Sequence, residues 1–312
     1  MLKYLSQLSR HKLNPKSRYV LAAFLSVSIW GFFSIPLRNI KDFPPHEILY
    51  YRIFTSLVCI WAAILLFRRK AVRSDLAFYR STTSREKRII WIQIIGATIL
   101  LSLNWFTYIY AVNNVSLKSA AFAYMVCPLI TAFGGFLILK EELSKIKLLS
   151  LGIALLSIMM LATGSLIEVA WSVIIAALYA FYLIIQRKMQ HLDKLNVLAL
   201  QITVAVILML PFYFYQHQGV PTGAWFWGNI IVIAVVFTVL PLFLSLYALI
   251  GIPSSTLGII IYLNPIIAFT VAVVYFDEQI SLHQLFAYLL LLSAVFLFNW
   301  NLIKDVFTLK RK

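Results

Sequence analysis

The chain is predicted to be an all-α, polytopic membrane protein with ten transmembrane helices in two inverted five-helix repeats. Composition is the first reason: 12% of the 312 residues are charged and 62% apolar, with a mean hydropathy of +0.89, whereas a soluble domain carries about 25% charged residues. The second is that the apolar residues gather into ten stretches, each close to the roughly 20 residues that cross a bilayer as a helix. The third is a repeat: Asn104 to Ser144 recurs without a gap as Pro241 to Ser281. Phe106/Phe243, Tyr110/Tyr247, Ala111/Ala248, Pro128/Pro265, Ile130/Ile267, Glu141/Glu278 and Ser144/Ser281 are identical, and most other pairs are both apolar. Each element stands five stretches from its copy, and an odd number turns the copy over in the bilayer, as in many secondary transporters.

The first five stretches are Tyr19 to Ile35, Ile48 to Phe67, Ile89 to Ala111, Ser119 to Leu139 and Leu148 to Thr163. The second five are Ala170 to Gln186, Asn196 to Tyr215, Ala224 to Leu249, Thr256 to Phe276 and Leu282 to Trp300. The first has a basic start, but it is long and no small-residue cleavage site follows, so it reads as a retained span rather than a signal peptide. The expected organisation is a basic tail 1–18, repeats 19–163 and 164–300, and a basic tail 301–312. No Gly/Ser-rich or Pro-rich linker separates the halves, which predicts one compact bundle.

Charge sets the orientation. With a cytoplasmic N-terminus, inside segments hold five Lys/Arg before Tyr19, eight in Arg68 to Arg88, three in Lys140 to Lys147, three in Arg187 to Lys194 and four after Trp300. Outside loops hold Arg38, Lys41 and Lys118. The positive-inside rule therefore places both termini in the cytoplasm. The aligned pair Lys140/Asp277 changes charge with its side, and Trp91, Trp171, Trp225, Trp227 and Trp300 fall at stretch ends, where amphipathic rings favour the interface. The formal charge of +16 is spread over short runs between apolar stretches, which fits a lipid surface rather than nucleic acid. The longest loop, Arg68 to Arg88, has the clustered Lys/Arg that attract anionic headgroups.

The residues that carry chemistry are few. Proline inside a helix frees the carbonyl four residues earlier, so Pro128 would free Tyr124 and Pro265 would free Ile261. Symmetry-related breaks near mid-span point to a central site; the alternative is a kink that serves packing alone. Arg52 lies roughly 6 to 8 Å into the second stretch at 1.5 Å per residue, where it either recognises charge or snorkels outward. Glu47, five residues away, stands on another face of that helix. Asn104 and Tyr108 are one turn apart, with Trp105 beside them, and offer polar and stacking contacts or interhelical hydrogen bonds. Trp30, Tyr124, Tyr179 and Tyr262 suit a cavity for amphipathic or aromatic solutes, or packing. Glu141 and Glu278 read as structural, able to pair with lysines or favour a helix N-terminus; proton coupling is the other reading. Cys59 and Cys127 sit in apolar stretches with neither disulfide nor metal-ligand spacing. Metalloprotease, phosphate-loop and nucleophile-elbow motifs are absent, so no enzyme, cofactor or metal is expected.

Ile29-Trp30-Gly31, Glu47-Ile48-Leu49 with Arg52, Asn104-Trp105 leading to Ala111-Val112-Asn113-Asn114, and Ser255-Thr256-Leu257-Gly258 before Tyr262 and Pro265 resemble the drug/metabolite transporter superfamily. The form is EamA-type, and the branch resembled is the RarD-like one, named for chloramphenicol sensitivity. The resemblance covers Tyr19 to Trp300. It implies a permease of the bacterial inner membrane that moves a small solute by alternating access, with the site between the halves and the fifth and tenth spans peripheral. The chain has Cys127 where this family usually has Asn before the proline, while the copy keeps Asn264, so the halves are expected to contribute unequally. Candidate solute contacts are thus Trp30, Arg52, Asn104, Trp105, Tyr108, Tyr124, Tyr179, Tyr262 and Asn264, with Pro128 and Pro265 shaping the cavity. The other class considered is a non-transporting membrane sensor or assembly factor built on the same bundle.

Overall fold

In an apolar medium every backbone N–H and C=O must be satisfied within its own segment, and helices form wherever the sequence is apolar. The structure, a computed structural model, describes residues 15–114, 117–161, 166–216, 219–275 and 282–300. The expectations for Asp277, Glu278, Ser281, the C-terminal tail and most of the N-terminal tail lie outside the described residues.

The first predicted span is α1 (Pro15–Gly31) with α2 (Ser34–Arg38), and the second is α3 (Pro45–Phe67). The third to seventh are α5 (Ser84–Asn114), α6 (Leu117–Leu139), α7 (Lys145–Leu161), α8 (Leu166–Lys188) and α9 (Lys194–Gln216). The eighth is α10 (Ala224–Ala234), a π-helical turn (Val235–Val239) and α11 (Leu240–Gly251), the ninth α12 (Ser254–Ile260) and α13 (Leu263–Val274), and the tenth α14 (Leu282–Phe298). Among the described residues six helical segments are long and apolar enough to cross a membrane. Shorter apolar helical runs at 123–139, 254–267 and 285–298 fall in α6, in α12 with α13, and in α14.

The basic segment Arg68 to Arg88, expected as a loop, is largely the helix α4 (Arg69–Ser81). Its docking explains the difference. Asp75 accepts hydrogen bonds from the Asp193 N–H at 3.2 Å and from Asn196 Nδ2 at 2.6 Å. Arg68 pairs with Asp193 at 2.6 Å, and Asp193 Oδ1 caps the Leu195 and Asn196 N–H groups at the start of α9. Thr83 and Glu86 then form a capping box for α5, satisfying N-terminal donors that no turn of helix precedes. We call this side of the bundle the basic end.

The prolines act differently from one another. Pro36 and Pro265 coincide with breaks, and each freed carbonyl is taken up locally: Ile35 N–H donates to Phe32 at 3.1 Å and Asn264 N–H to Ile261 at 2.9 Å. Pro128 and Pro211 sit inside α6 and α9, which run on as α-helix. The expected pair of breaks at Pro128 and Pro265 is therefore present in one copy. Packing joins α5 and α6 to α8, α1 to α11 and α13, α3 to α9 and α10, and α7 to α14. Two glycines permit close crossings, because an added Cβ at Gly31 would stand 2.5 Å from Ile267 and one at Gly258 would stand 2.8 Å from Thr131.

Candidate functional site

Arg52 projects from α3 into the bundle rather than out along its own helix. Its guanidinium carbon lies 5.2 Å from the centre of the Trp105 ring on α5 and 5.9 Å from that of Phe33, distances at which a cation is attracted to the ring face. Its Nε is buried and has no hydrogen-bond partner. Among the described residues no carboxylate forms a salt bridge with it; Glu47 is buried nearer Tyr51. The hydroxyls of Tyr108 and Tyr124 lie within electrostatic reach of the guanidinium, and their rings are 5.7 Å apart.

The cluster continues inward through Tyr179 on α8, which packs edge-on to Trp30 at 6.2 Å and stacks on Tyr182 at 5.7 Å. The Tyr179 hydroxyl faces Ser245 without closing a well-formed hydrogen bond, and its oxygen stays buried and unpartnered. Arg52, Trp105, Tyr108, Tyr124, Tyr179 and Trp30 are thus brought together from five helices. Tyr262 stands apart, fully buried in a second core with Met125, Ile158 and Leu291, although its hydroxyl is also unpartnered. Asn264 follows the break in the ninth span, half-buried, and uses its backbone N–H to close it.

Two of the candidates have structural duties. Asn104 is buried, and its Nδ2 donates to the Ile175 carbonyl on α8 at 2.8 Å, the interhelical role left open above. Trp30 donates its indole N–H to the Phe237 carbonyl at 3.0 Å. Phe237 is four residues before Pro241, so that proline frees this carbonyl. The same rule that singled out Tyr124 and Ile261 could have found it. Ser26 adds a second bond to this crossing, donating to the Pro241 carbonyl at 2.7 Å, and lies 2.7 Å from the Ser245 hydroxyl. Phe33 and Ser26 carried no signal beyond apolar or small character, whereas Ser245 is the copy of Tyr108 in the repeat, on a face where polar atoms are expected to meet protein.

At the basic end a second constellation joins distant parts of the chain. Glu141, just past α6, accepts hydrogen bonds from Ser254 N–H at 2.7 Å, Ser254 Oγ at 2.8 Å and Ser255 N–H at 2.9 Å. These are unsatisfied donors at the N-terminus of α12, where a carboxylate also meets the positive end of the helix dipole. Gly135 leaves room for it: an added Cβ would lie 2.7 Å from Glu141 Oε2 and 2.9 Å from Ser254 Oγ. Lys140 makes the turn with φ of 57°, a left-handed conformation uncommon outside glycine. From here α6 and α12 pack closely, whereas beyond the break α13 packs mainly on α1. A separate groove, lined by Leu21, Leu25, Phe243 and Leu244 with Arg18 at one end, runs between α1 and α11 on the outer surface and is almost wholly apolar. Among the described residues no three His, Cys, Asp or Glu side chains converge as a metal site would require.

The model of the EamA-like transporter family matches residues 17–163 and again 166–300. The chain belongs to the EamA-like transporter family. It is 27% identical to the uncharacterized transporter YojE of Bacillus subtilis, over 91% of this chain and 94% of that protein. It is 26% identical to protein RarD of Streptomyces exfoliatus, over 93% of this chain and 91% of that one, and 23% identical to protein RarD of Escherichia coli, over 90% and 94%. A crystal structure of a protein 16% identical in sequence superposes with a TM-score of 0.72 over 91% of this chain and 98% of its own, which speaks for the fold. Membership in this family makes the protein a multi-pass membrane protein with a transport role. Within it, the Arg52 cluster and the Glu141 cap are features of this EamA-like chain's own side chains.

Proposed function

We propose that the protein is a secondary-active transporter of a bacterial cytoplasmic membrane, with ten crossing helices and both termini in the cytoplasm. It moves a small metabolite or drug-like solute by alternating access between two inverted halves. Glu141 is the observation that carries the reading. It joins the end of the fourth span to the start of the ninth, one from each half, with three hydrogen bonds at the end that the Lys/Arg count assigns to the cytoplasm. Such a cap suits a gate. Opened to water, its donors and acceptor all find new partners, so the net difference is on the order of 1 to 3 kcal/mol for bonds to a charged group. A barrier of that kind allows exchange of states on the timescale of domain motions.

In this reading the solute sits among Arg52, Trp105, Tyr108, Tyr124 and Tyr179, sealed from the cytoplasm by the contact of α6 with α12. Release on that side requires Glu141 to leave Ser254 and Ser255. The chain has no phosphate-binding loop, so the drive is an ion or solute gradient. Purified protein in liposomes should move at least one member of a metabolite panel. Single cysteines placed near Pro128 and Pro265 should be labelled from both sides by impermeant reagents as the solute is varied. Labelling from one side under all conditions would overturn alternating access.

A further inference from the structure

The guanidinium of Arg52 is the most informative group in the molecule, because it is a charge inside a predicted span that forms no salt bridge among the described residues. Arg at the bilayer centre costs about 2.5 to 3.5 kcal/mol on insertion scales, the cost at the shallower depth of Arg52 is a part of that, and such residues pair with one another, with carbonyls or with a ligand. Trp105 and Phe33 lie against it. Ring contacts leave the N–H edges of the planar fork as its remaining donors, and these match a carboxylate in bidentate fashion. The buried Nε has no acceptor, and one rim of that fork is therefore unspent.

Around it stand groups that suit the rest of such a ligand. Tyr108 and Tyr124 bring hydroxyls near the guanidinium. Further in, Tyr179 has an unpartnered hydroxyl and shares its surroundings with Trp30. No Asp or Glu forms a salt bridge to Arg52 among the described residues, so an ammonium group placed beside the guanidinium would meet a cation with no paired carboxylate to offset it.

Resting on the transport reading above, we infer that the solute is an aromatic organic anion without a compensating amine, its carboxylate held by Arg52 and its ring by the Trp and Tyr side chains. The ligand reaches Arg52 as the counter-ion that no described residue supplies. Recognition then depends on charge first and ring second: the neutral amide of the same skeleton loses the bidentate pair, and the amine meets repulsion.

Four probes with one skeleton test this directly in the purified, full-length protein: 3-phenylpropionate, 3-phenylpropanamide, 3-phenylpropylamine and phenylalanine. Binding is measured by calorimetry and by the shift in melting temperature. The carboxylate should bind about tenfold or more tightly than the amide, the amine and the zwitterion, as expected for loss of a charge-assisted pair. Arg52→Gln should bring carboxylate and amide to equal affinity, and Arg52→Lys should fall between, since lysine keeps the charge without the fork. If Arg52→Gln fails to give a monodisperse, cooperatively melting protein, the wild-type ranking and Arg52→Lys still decide. Preference for amide, amine or zwitterion, equal affinity across the four, or binding of none by folded wild-type protein overturns the proposal. Carboxylate binding without movement into liposomes keeps this proposal and removes the transport reading. Transport of a neutral solute unaffected by Arg52→Gln does the reverse.

Discussion

The aligned stretches Asn104–Ser144 and Pro241–Ser281 begin from similar sequence and reach different local structure. In the first, α5 and α6 are uninterrupted through Asn104 and Pro128. The second is preceded by a π-helical turn at Val235–Val239 and is interrupted at Ile261 and Tyr262. The crossings on either side show why one substitution matters. Asn104 donates across to Ile175 on α8. Its counterpart Pro241 has no N–H and no side-chain donor, so the bonds at that crossing run the other way, from Trp30 and Ser26 of α1 to Phe237 and Pro241. Proline at one position thus reverses the direction of hydrogen bonding between two helices and releases a carbonyl that the partner helix must satisfy. The first copy gives the cluster a regular wall bearing Trp105, Tyr108 and Tyr124. The second supplies the irregular elements, which are the natural places for a change of shape.

Glu141→Ala should have the largest effect, because it strands three donors at the start of α12. A loss of about 2 to 4 kcal/mol is expected from removing charged hydrogen bonds to a helix N-terminus. Glu141→Gln, which keeps one acceptor, should lose less; melting in detergent measures both, and equal stability for all three proteins would remove the cap from the comparison. Trp30→Phe should cost about 1 to 3 kcal/mol, the penalty for a buried carbonyl left without its donor. Its cost should shrink in a Pro241→Ala background, where the N–H of residue 241 returns to Phe237. An undiminished cost in that double-mutant cycle would show that the proline does not create the need for the indole.

Asn104→Leu should cost less, about 0.5 to 1.5 kcal/mol, since Ile175 lies within regular helix and keeps its own backbone partner. A larger loss than Trp30→Phe would reverse the account of the two crossings. The smallest effect is expected at Gly96, where an added Cβ meets nothing within 4 Å. Gly96→Ala should be neutral or stabilising by up to about 1 kcal/mol through helix propensity, in contrast to Gly31→Ala, which presses on the branched Ile267.

Apolar length made the helices and their order legible, because it follows from the bilayer as solvent. Arg52, Trp105, Tyr108 and Tyr124 were legible as candidates, since a charge or a paired polar face inside an apolar stretch has few explanations. Their meeting point was not, for it depends on which way α3 and α5 rotate against each other. The pairing of Ser254 and Ser255 with Glu141 was hidden for a similar reason: the serines lie more than a hundred residues from the glutamate, and a serine before an apolar run looks like any helix start. Pro128 and Pro265 look alike in sequence. Gly258, seven residues before Pro265, aligns with Ala121, and a glycine and a proline so close weaken the ninth span where the fourth has only a proline. Gly258 is in turn required by the approach of Thr131, so the cause lies in packing across the two copies.

The central claim is that the contact between Glu141 and α12 opens during transport. With Cys59 and Cys127 replaced by serine, cysteines at positions 141 and 254 can be joined by a short reducible cross-linker in proteoliposomes. Solute movement should stop when the bridge is formed and return to the unbridged rate on reduction. Undiminished transport by the bridged protein would contradict the account.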